Sequence, residues 1–311
     1  MDQKVMDQVQ QDVLFEVAGI RKIPPQTAFS LRVNGSSFGM GSSEHITILP
    51  KPDGKGFDMH VKSGTKQETA YIPVVVSNTG HAEQVYNDFF IGEDAEVTII
   101  AGCGIHNGGE RDARHDGVHS FHVGRGATVR YIENHYGSGE GSGERVLNPV
   151  TNLYLQADSY VEVETVQIGG VSATNRLTRA RVGDGATLVV KEKLLTEGRQ
   201  TAETNFEVDL AGVGSSANVI SRSVAKGFSE QCFFSKIDGN KRCSGHSECD
   251  AILMDSASVK AIPEISANHV DAALIHEAAI GKIAGEQITK LRTLGLTEEE
   301  AEEQIIRGFL K

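Results

Sequence analysis

The sequence predicts a mostly β protein with a right-handed parallel β-helix, or solenoid, as its core and helices at both ends. Short β-branched runs alternate with Gly, Asp, Ser and Ala turns through the middle of the 311-residue chain, which has 34 glycines and no tryptophan. A unit of one small residue followed by an aliphatic one recurs there, and helical periodicity is confined to the two ends. Such recurrence at a nearly fixed period is typical of stacked repeats.

The repeat is defined by a small residue at a turn, followed two positions later by an aliphatic strand residue. Successive small residues lie 32, 32, 27 and 31 positions apart, at Ala95, Ala127, Ser159, Ala186 and Ala217. In a solenoid, small residues suit tight corners and aliphatic residues fill a narrow core. From the pattern alone, an ordinary β-sandwich or barrel is the alternative fold.

Three segments are expected. Residues 1–25 hold an N-terminal helix around Lys4–Ile20, residues 26–275 form the β-helix core, and residues 276–311 form a C-terminal helical segment. The terminal helices are natural caps for the solenoid, because uncapped end strands invite pairing with other chains. Pairing with a second solenoid is the other way to cover an end.

The C-terminal segment reads as a two-helix hairpin. Ile288 and Leu291 lie on one face of its first helix, and Gly295 follows where a helix end favours glycine. Thr297 and Glu300 have capping-box spacing at the start of the second helix. The apolar face of the hairpin either packs on the chain's own core or receives a partner.

Composition excludes several classes of function. The chain has 30 basic and 42 acidic residues, a net charge of −12, which argues against nucleic acid as a partner. It has no apolar run long enough for a transmembrane helix, and its N-terminus lacks the features of a signal peptide. Four cysteines are too few for a disulfide scaffold, so a reducing cytoplasm is expected.

The strongest candidate site combines Cys249 with His276 and Glu277. His276 follows Cys249 by 27 residues, close to one coil. Residues one coil apart stack at about 4.8 Å, so the three side chains are expected to meet. Thiolate, imidazole and carboxylate groups are all ligands for iron. A thiolate beside a protonated histidine is also a reactive sulfur acceptor.

Two other metal sites are compatible with the sequence. One is a zinc site of Cys243, His246 and Cys249, with Cys232 as a further ligand, although this spacing is not that of a standard zinc finger. The other is the centre of a metal-dependent hydrolase, built from histidines between His106 and His135. A polysaccharide-active β-helix is disfavoured by the 6% aromatic content and the lack of an export signal.

The run from His276 to Leu310 resembles the C-terminal signature of the SufB/SufD family of iron–sulfur cluster assembly proteins. The similarity includes Ile283, the pair Glu286-Gln287 and the pair Gly308-Phe309. Cys249-Asp250 occupies the place of a SufB cysteine, and His276-Glu277 matches SufB, whereas SufD has glycine after the histidine. The chain therefore resembles SufB more than SufD.

The resemblance implies a β-helical scaffold and not an enzyme. It implies that Cys249, His276 and Glu277 hold a nascent, transient iron–sulfur cluster. It further implies that the C-terminal hairpin docks onto SufC, an ABC-type ATPase, and that the scaffold forms a homodimer or a SufB–SufD heterodimer. The residues expected to face SufC are Ile283, Ile288, Leu291, Ile305 and Phe309.

Several properties stay open at this level. The core stretch 150–156 has no cysteine to match one proposed as the sulfur entry point in some SufB proteins, so the sulfur donor is unknown. The sequence does not specify the cluster type, the iron source or the involvement of a flavin. It also leaves open the roles of Cys103, Cys232 and Cys243.

Overall fold

The computed structural model describes residues 5–311 and consists of two long sheets wound around a common core. None of the described helices combines the length and apolar character needed to cross a bilayer. In chain order the elements are α1 (Gln8–Ala18), β1 (Ala28–Val33), β2 (Ser36–Gly41), β3 (Ile46–Pro50), β4 (Gly56–Val61), β5 (Glu68–Val76), β6 (Ala82–Ile91), β7 (Glu96–His106), β8 (Ala113–Val123), β9 (Thr128–Ser138), β10 (Arg145–Leu147), β11 (Val150–Leu155), β12 (Tyr160–Ile168), β13 (Ala173–Val182), β14 (Thr187–Thr196), β15 (Thr201–Leu210), β16 (Ser216–Ala225), β17 (Glu230–Gly239), β18 (Cys243–Leu253), β19 (Ser258–Ala267), β20 (Ala272–Gly281), α2 (Gly285–Thr293) and α3 (Glu298–Phe309).

The strands alternate between two sheets, as a solenoid requires. Sheet A has the order β2-β1-β5-β7-β9-β12-β14-β16-β18-β20, and sheet B has the order β19-β17-β15-β13-β10-β8-β6-β4-β3, with β11 also between β13 and β8. Neighbours pair in parallel one coil apart, except for the antiparallel pairs β1–β2 and β3–β4 at the N-terminal end. The predicted parallel β-solenoid with helices at both ends is confirmed.

The corners leading into sheet A repeat one tight turn. In the turn at Gly183, the Ala186 amide donates to the Gly183 carbonyl at 3.2 Å, and Gly185 has φ +62°. A positive φ at the third residue is the mark of a type II turn and favours glycine. Ser215 makes the same bond to Gly212 at 3.4 Å. Ser215 therefore follows Ala186 in the repeat, and the prediction of Ala217 at this position is wrong.

Aliphatic side chains stack in register through the interior. One column of sheet A runs along the strands from β7 to β16, and each of its members is at most 5% exposed. Burying such a side chain contributes roughly 1.5–3 kcal/mol relative to exposing it. The members of the column are Val97, Val129, Val161, Leu188 and Ala217.

The N-terminal helix does not cap the solenoid end as expected. It packs across the outer face of sheet A, over β5, β7 and β9. Glycines in β7 make room for it, since a Cβ on Gly104 would lie 2.2 Å from Cγ1 of Val13. The two antiparallel strand pairs close the N-terminal end instead. Lys4, the first residue of the predicted helix, lies outside the described residues.

The C-terminal helices begin later than residue 276. The segment Ala272–Gly281 pairs in parallel with β18, so it belongs to the last coil, and α2 starts only at Gly285. The predicted capping box of α3 is present: the Thr297 side chain accepts from the Glu300 amide at 3.2 Å. The two helices contact chiefly each other. The outer edges of β19 and β20, the last strands of the two sheets, are thereby left open.

We expect the two glycine-to-alanine variants Gly198→Ala and Gly212→Ala to differ in stability. Gly198 has φ +61° with no atom near its added Cβ, so its substitution costs only backbone strain, roughly 1–2 kcal/mol. A Cβ on Gly212 would lie 2.1 Å from the backbone of the preceding corner, so that corner must move. Chemical denaturation should show a larger decrease in the free energy of unfolding for Gly212→Ala than for Gly198→Ala. Equal losses would contradict the stacked-corner packing.

Candidate functional site

Cys249 lies inside the solenoid near its open end. It is on β18, points inward and is 1% exposed. Burial, with smaller contributions from Glu192 and Asp250, raises the pKa of the Cys249 thiol to about 12. The side chain is therefore a neutral thiol at physiological pH, and the expected free thiolate beside a protonated histidine is absent.

His276 and Glu277 lie on opposite faces of β20. The register places His276 beside Ser247 and Glu277 beside Glu248, while the residue beside Cys249 is Ala278, 29 positions later. His276 thus shares the inward face with Cys249, but two residues away along the strand, a diagonal of about 8 Å at usual strand spacing and rise. Glu277 points outward. The three predicted ligands therefore do not lie together: Cys249 and His276 face the interior, and Glu277 faces outward. The reason is that the last coil has 29 residues, two more than the 27 that the prediction assumes.

His276 has an unsatisfied ring nitrogen. Its side chain is half-buried, and Nδ1 is buried without a hydrogen-bond partner. Burial, and then the neighbouring His246, lower the pKa of His276. A neutral imidazole with an unpartnered nitrogen is suited to bind a metal. Cys249 and His276 are thus the two predicted ligands that share the open interior.

A row of buried polar side chains leads to Cys249. Its members face inward in register on five successive strands of sheet A, and each is at most 5% exposed. Ser221, the neighbour of Cys249, donates to Glu192 at 2.7 Å, and burial raises the pKa of Glu192. We call this set the inner row, and it comprises Glu133, Thr165, Glu192, Ser221 and Cys249. In the sequence the inner row could be recognised only by polar residues spaced one coil apart. Glu192 and Ser221 are 29 residues apart, and Ser221 and Cys249 are 28 residues apart.

The far end of the inner row is a fully buried ion pair. Arg176 donates to Glu133 at 2.5 Å and approaches Nδ1 of His135 at 3.1 Å. Burial alone would raise the pKa of Glu133, but Arg176 and then His135 hold it far below its usual range. Tyr131 donates a further hydrogen bond to Glu133 at 2.9 Å. This group is internally satisfied, as buried charges must be.

The five histidines of the hydrolase alternative do not form a metal-binding group, although His115, His119 and His135 line one internal cavity with Cys103 and Glu133. Each has its own partner: His106 with Ser138, His115 with Glu83, His119 with Tyr131 and Asn87, His122 stacked between Phe90 and Tyr154, and His135 with Arg176. Burial lowers the pKa of His119 to about 4, so this ring is a neutral structural group. The 106–135 region therefore offers no metal centre of the kind a hydrolase needs.

The zinc alternative fails on strand geometry. Cys243 and Cys249 both point inward on β18, six residues apart, whereas His246 points outward between them. At about 3.3 Å per residue the two thiols are roughly 20 Å apart. Cys232 lies on β17 in the other sheet, and all four cysteines are free.

The outer face of the same strands carries a different cluster. His246, Glu248 and Glu277 bring one potential ligand atom each within 4.8 Å of the others, the one such group in residues 5–311. Burial and the neighbouring Asp250 raise the pKa of Glu248. The sequence predicts Glu277 beside Cys249 and assigns His246 to a zinc site. His246, Glu248 and Glu277 come together only because of the register between β18 and β20.

Residues 75–309 match the SufBD core domain of the SUF system of iron–sulfur cluster assembly. The chain belongs to the SufBD family. The shared region runs from β6 to α3, which includes the inner row and both C-terminal helices.

Individual relatives extend this finding. An iron–sulfur cluster assembly SufBD family protein of Methanothermobacter thermautotrophicus is 31% identical over 234 residues, covering 73% of this chain and 55% of that protein. One from Archaeoglobus fulgidus is 27% identical, covering 86% and 71%. One from Pyrococcus horikoshii is 27% identical, covering 95% and 84%. The chain thus spans about half the length of the Methanothermobacter relative.

We predict that Cys249 resists alkylation in the folded protein. At pH 8 a thiol with a pKa of about 12 is almost entirely protonated, and Cys249 is also buried. Mass spectrometry after iodoacetamide treatment should show half-buried Cys232 modified well before Cys249. The raised pKa also means that the stability contributed by the neutral thiol is present below pH 9 and lost as the pH rises toward 12. Equal labelling rates at neutral pH would contradict the assigned burial.

Proposed function

We propose that this SufBD family chain is a scaffold on which an iron–sulfur cluster is assembled, with Cys249 and His276 as ligands. The cluster is the cargo of the protein. The observation that carries the proposal is the buried, unpartnered Nδ1 of His276 on the same inward face as Cys249. Its setting in a family of cluster assembly proteins supports it. A reducing cytoplasm keeps the thiol available.

The inner row supplies suitable surroundings for Cys249. Iron binds the thiolate, so loading must release the proton of a thiol whose pKa burial has raised. Ser221 and Glu192 place a hydroxyl and a buried carboxyl immediately behind Cys249. The positive charge of the metal lowers the pKa of a bound thiol and makes that release favourable. Cluster loading is therefore tied to deprotonation of Cys249.

The open end of the solenoid suits pairing with a second scaffold. Ile265 of β19 and Ile280 of β20 face inward in the last coil, yet they are 45% and 41% exposed. β19 carries Pro263, which cannot donate a ladder hydrogen bond, whereas β20 has no proline. We therefore propose a homodimer, or a SufB–SufD-type heterodimer, joined through the edge of β20. The cluster then lies beside the junction.

The C-terminal hairpin is proposed to bind a SufC-like ABC ATPase. Five apolar side chains of this segment are half-buried and remain partly available to a partner: Ile283, Ile288, Leu291, Ile305 and Phe309. Only residues 282–284 separate β20 from α2. A displacement of the hairpin driven by the ATPase would therefore act directly on β20 and on His276. This coupling would open access to Cys249, which is buried even in the single chain.

Anaerobic reconstitution with iron and sulfide tests the cluster site. We expect Cys249→Ser to lose most of the cluster that wild type retains after desalting, since a hydroxyl is a poor ligand for iron. His276→Ala should retain less than wild type, because it removes the second ligand. Cys232→Ser is the matched control and should behave as wild type. Cluster retention by Cys249→Ser equal to that of Cys232→Ser would refute the assignment.

Light scattering of the protein mixed with a SufC-like ATPase tests the two partner surfaces separately. Deletion of residues 283–311 should abolish ATPase binding and leave the scaffold dimer intact. Ile280→Asp should dissociate the dimer, because a carboxylate would be placed at the apolar junction, and should leave ATPase binding intact.

Leu49→Asp provides the control for the second variant, since Leu49 is 51% exposed on β3 at the opposite end. It should change neither interaction. ATPase binding by the deleted protein, or an Ile280→Asp dimer as stable as wild type, would contradict the corresponding surface. Circular dichroism of each variant checks that the solenoid is folded.

A further inference from the structure

Three side chains from two neighbouring strands meet on the outer face of sheet A. His246 and Glu248 are alternate outward residues of β18, and Glu277 lies directly beside Glu248 on β20. One potential ligand atom from each lies within 4.8 Å of the other two. Nε2 of His246 is 3.2 Å from a carboxylate oxygen of Glu277. The parallel register fixes this meeting, because a shift of two residues would separate the carboxylates.

The carboxylates of Glu248 and Glu277 lie side by side on neighbouring strands. Like charges directly opposite on neighbouring strands destabilise a sheet, by up to about 1 kcal/mol. In the part of the chain that the structure describes, no lysine or arginine lies within 4.0 Å of the carboxylates of Glu248 and Glu277, and Arg222, beside Asp250 on β16, acts on Glu248 only from a longer distance. Asp250, two residues along the same face, adds a third carboxylate. A bound cation would convert this repulsion into coordination.

The histidine is already oriented as a metal ligand would be. Nδ1 of His246 is 3.0 Å from Oδ1 of Asn218 on the adjacent strand β16. A carboxamide oxygen only accepts, so Nδ1 is the donor in this contact, and Nε2 is the ring nitrogen left for a metal, which would replace the proton that Nε2 shares with Glu277. Nε2 faces Glu277. Metal-binding histidines characteristically use such a second hydrogen bond to fix tautomer and ring orientation.

We propose that His246, Glu248 and Glu277 bind one divalent first-row transition-metal ion, such as Fe²⁺ or Co²⁺, on the outer face of sheet A. One imidazole and two carboxylates suit this class, whereas an all-oxygen set is preferred by Mg²⁺ and Ca²⁺. The Glu277 side chain is 65% exposed, so it can move onto the ion, and the solvent side stays open for water ligands.

This site is separate from the proposed cluster site. Cys249 and His276 point into the solenoid, and the three outer ligands point away from it on the same two strands. The sheet backbone lies between the two groups. The outer site therefore holds whether or not Cys249 and His276 bind a cluster.

The test is titration of the full-length, chelator-treated protein with cobalt(II) chloride, followed by visible absorption and equilibrium dialysis. Wild type should bind one Co²⁺ per chain with a spectrum of nitrogen and oxygen ligands. His246→Gln and Glu248→Gln should each weaken binding by more than Asn218→Ala, for which we expect roughly a 10- to 100-fold loss. Glu264→Gln is the matched control, since Glu264 is an outward carboxylate on β19 that already pairs with Lys236 at 2.8 Å.

Cys249→Ser separates this proposal from the proposed function. It should keep full Co²⁺ affinity while losing cluster retention, and Glu248→Gln should show the reverse. Wild-type affinity in both His246→Gln and Glu248→Gln would overturn the proposal and leave the three residues as an ion pair with an extra carboxylate. A sulfur-to-cobalt charge-transfer band that disappears in Cys249→Ser would also overturn it.

Discussion

Parallel pairing of successive coils is the constraint on which the rest of this structure depends. It decides which residues share the interior, which share the outer face and which become neighbours one coil apart. Cys249 faces Ser221 on one side and Ala278 on the other because every coil between β14 and β20 keeps its register. A displacement of the last strand by two residues would bring His276 beside Cys249 and separate Glu277 from Glu248. The chemistry of both faces is thus set by coil length.

The same register aligns the buried polar side chains of the inner row inside a narrow core. Buried polar groups are costly unless they are hydrogen-bonded, and the buried charge of Glu133 meets this condition through Arg176. The inner row ends at the neutral thiol of Cys249, and on the next strand Nδ1 of His276 has no hydrogen-bond partner. The hydroxyl of Thr165, in the middle of the solenoid, also lacks a partner, but Thr165 is only 2% exposed. His276 is half-buried in the last coil, so a ligand can reach it, and this access favours the open end as the place of function.

Much of the fold was predictable because local rules govern it. Glycine- and aspartate-containing corners, alternating strands and the Thr297 capping box all act over a few residues, and each is present. Features that depend on exact coil length were not predictable. The repeat unit was misaligned at Ala217 because Gly212-Val213-Gly214-Ser215 also forms the turn, and that error matches the two-residue error at His276. The position of α1 depended on contacts between its valines and Gly102 and Gly104 of β7, which no local pattern reveals.

We propose that the interior of the solenoid at its open end, and not the outer face of sheet A, holds the cluster. The most direct measurement is pulsed electron paramagnetic resonance of the reduced, reconstituted protein labelled with ¹⁵N-histidine. A hyperfine coupling from a directly bound nitrogen should be present in wild type and in His246→Gln, and absent in His276→Ala. A coupling that survives in His276→Ala, or that disappears in His246→Gln, would contradict the account.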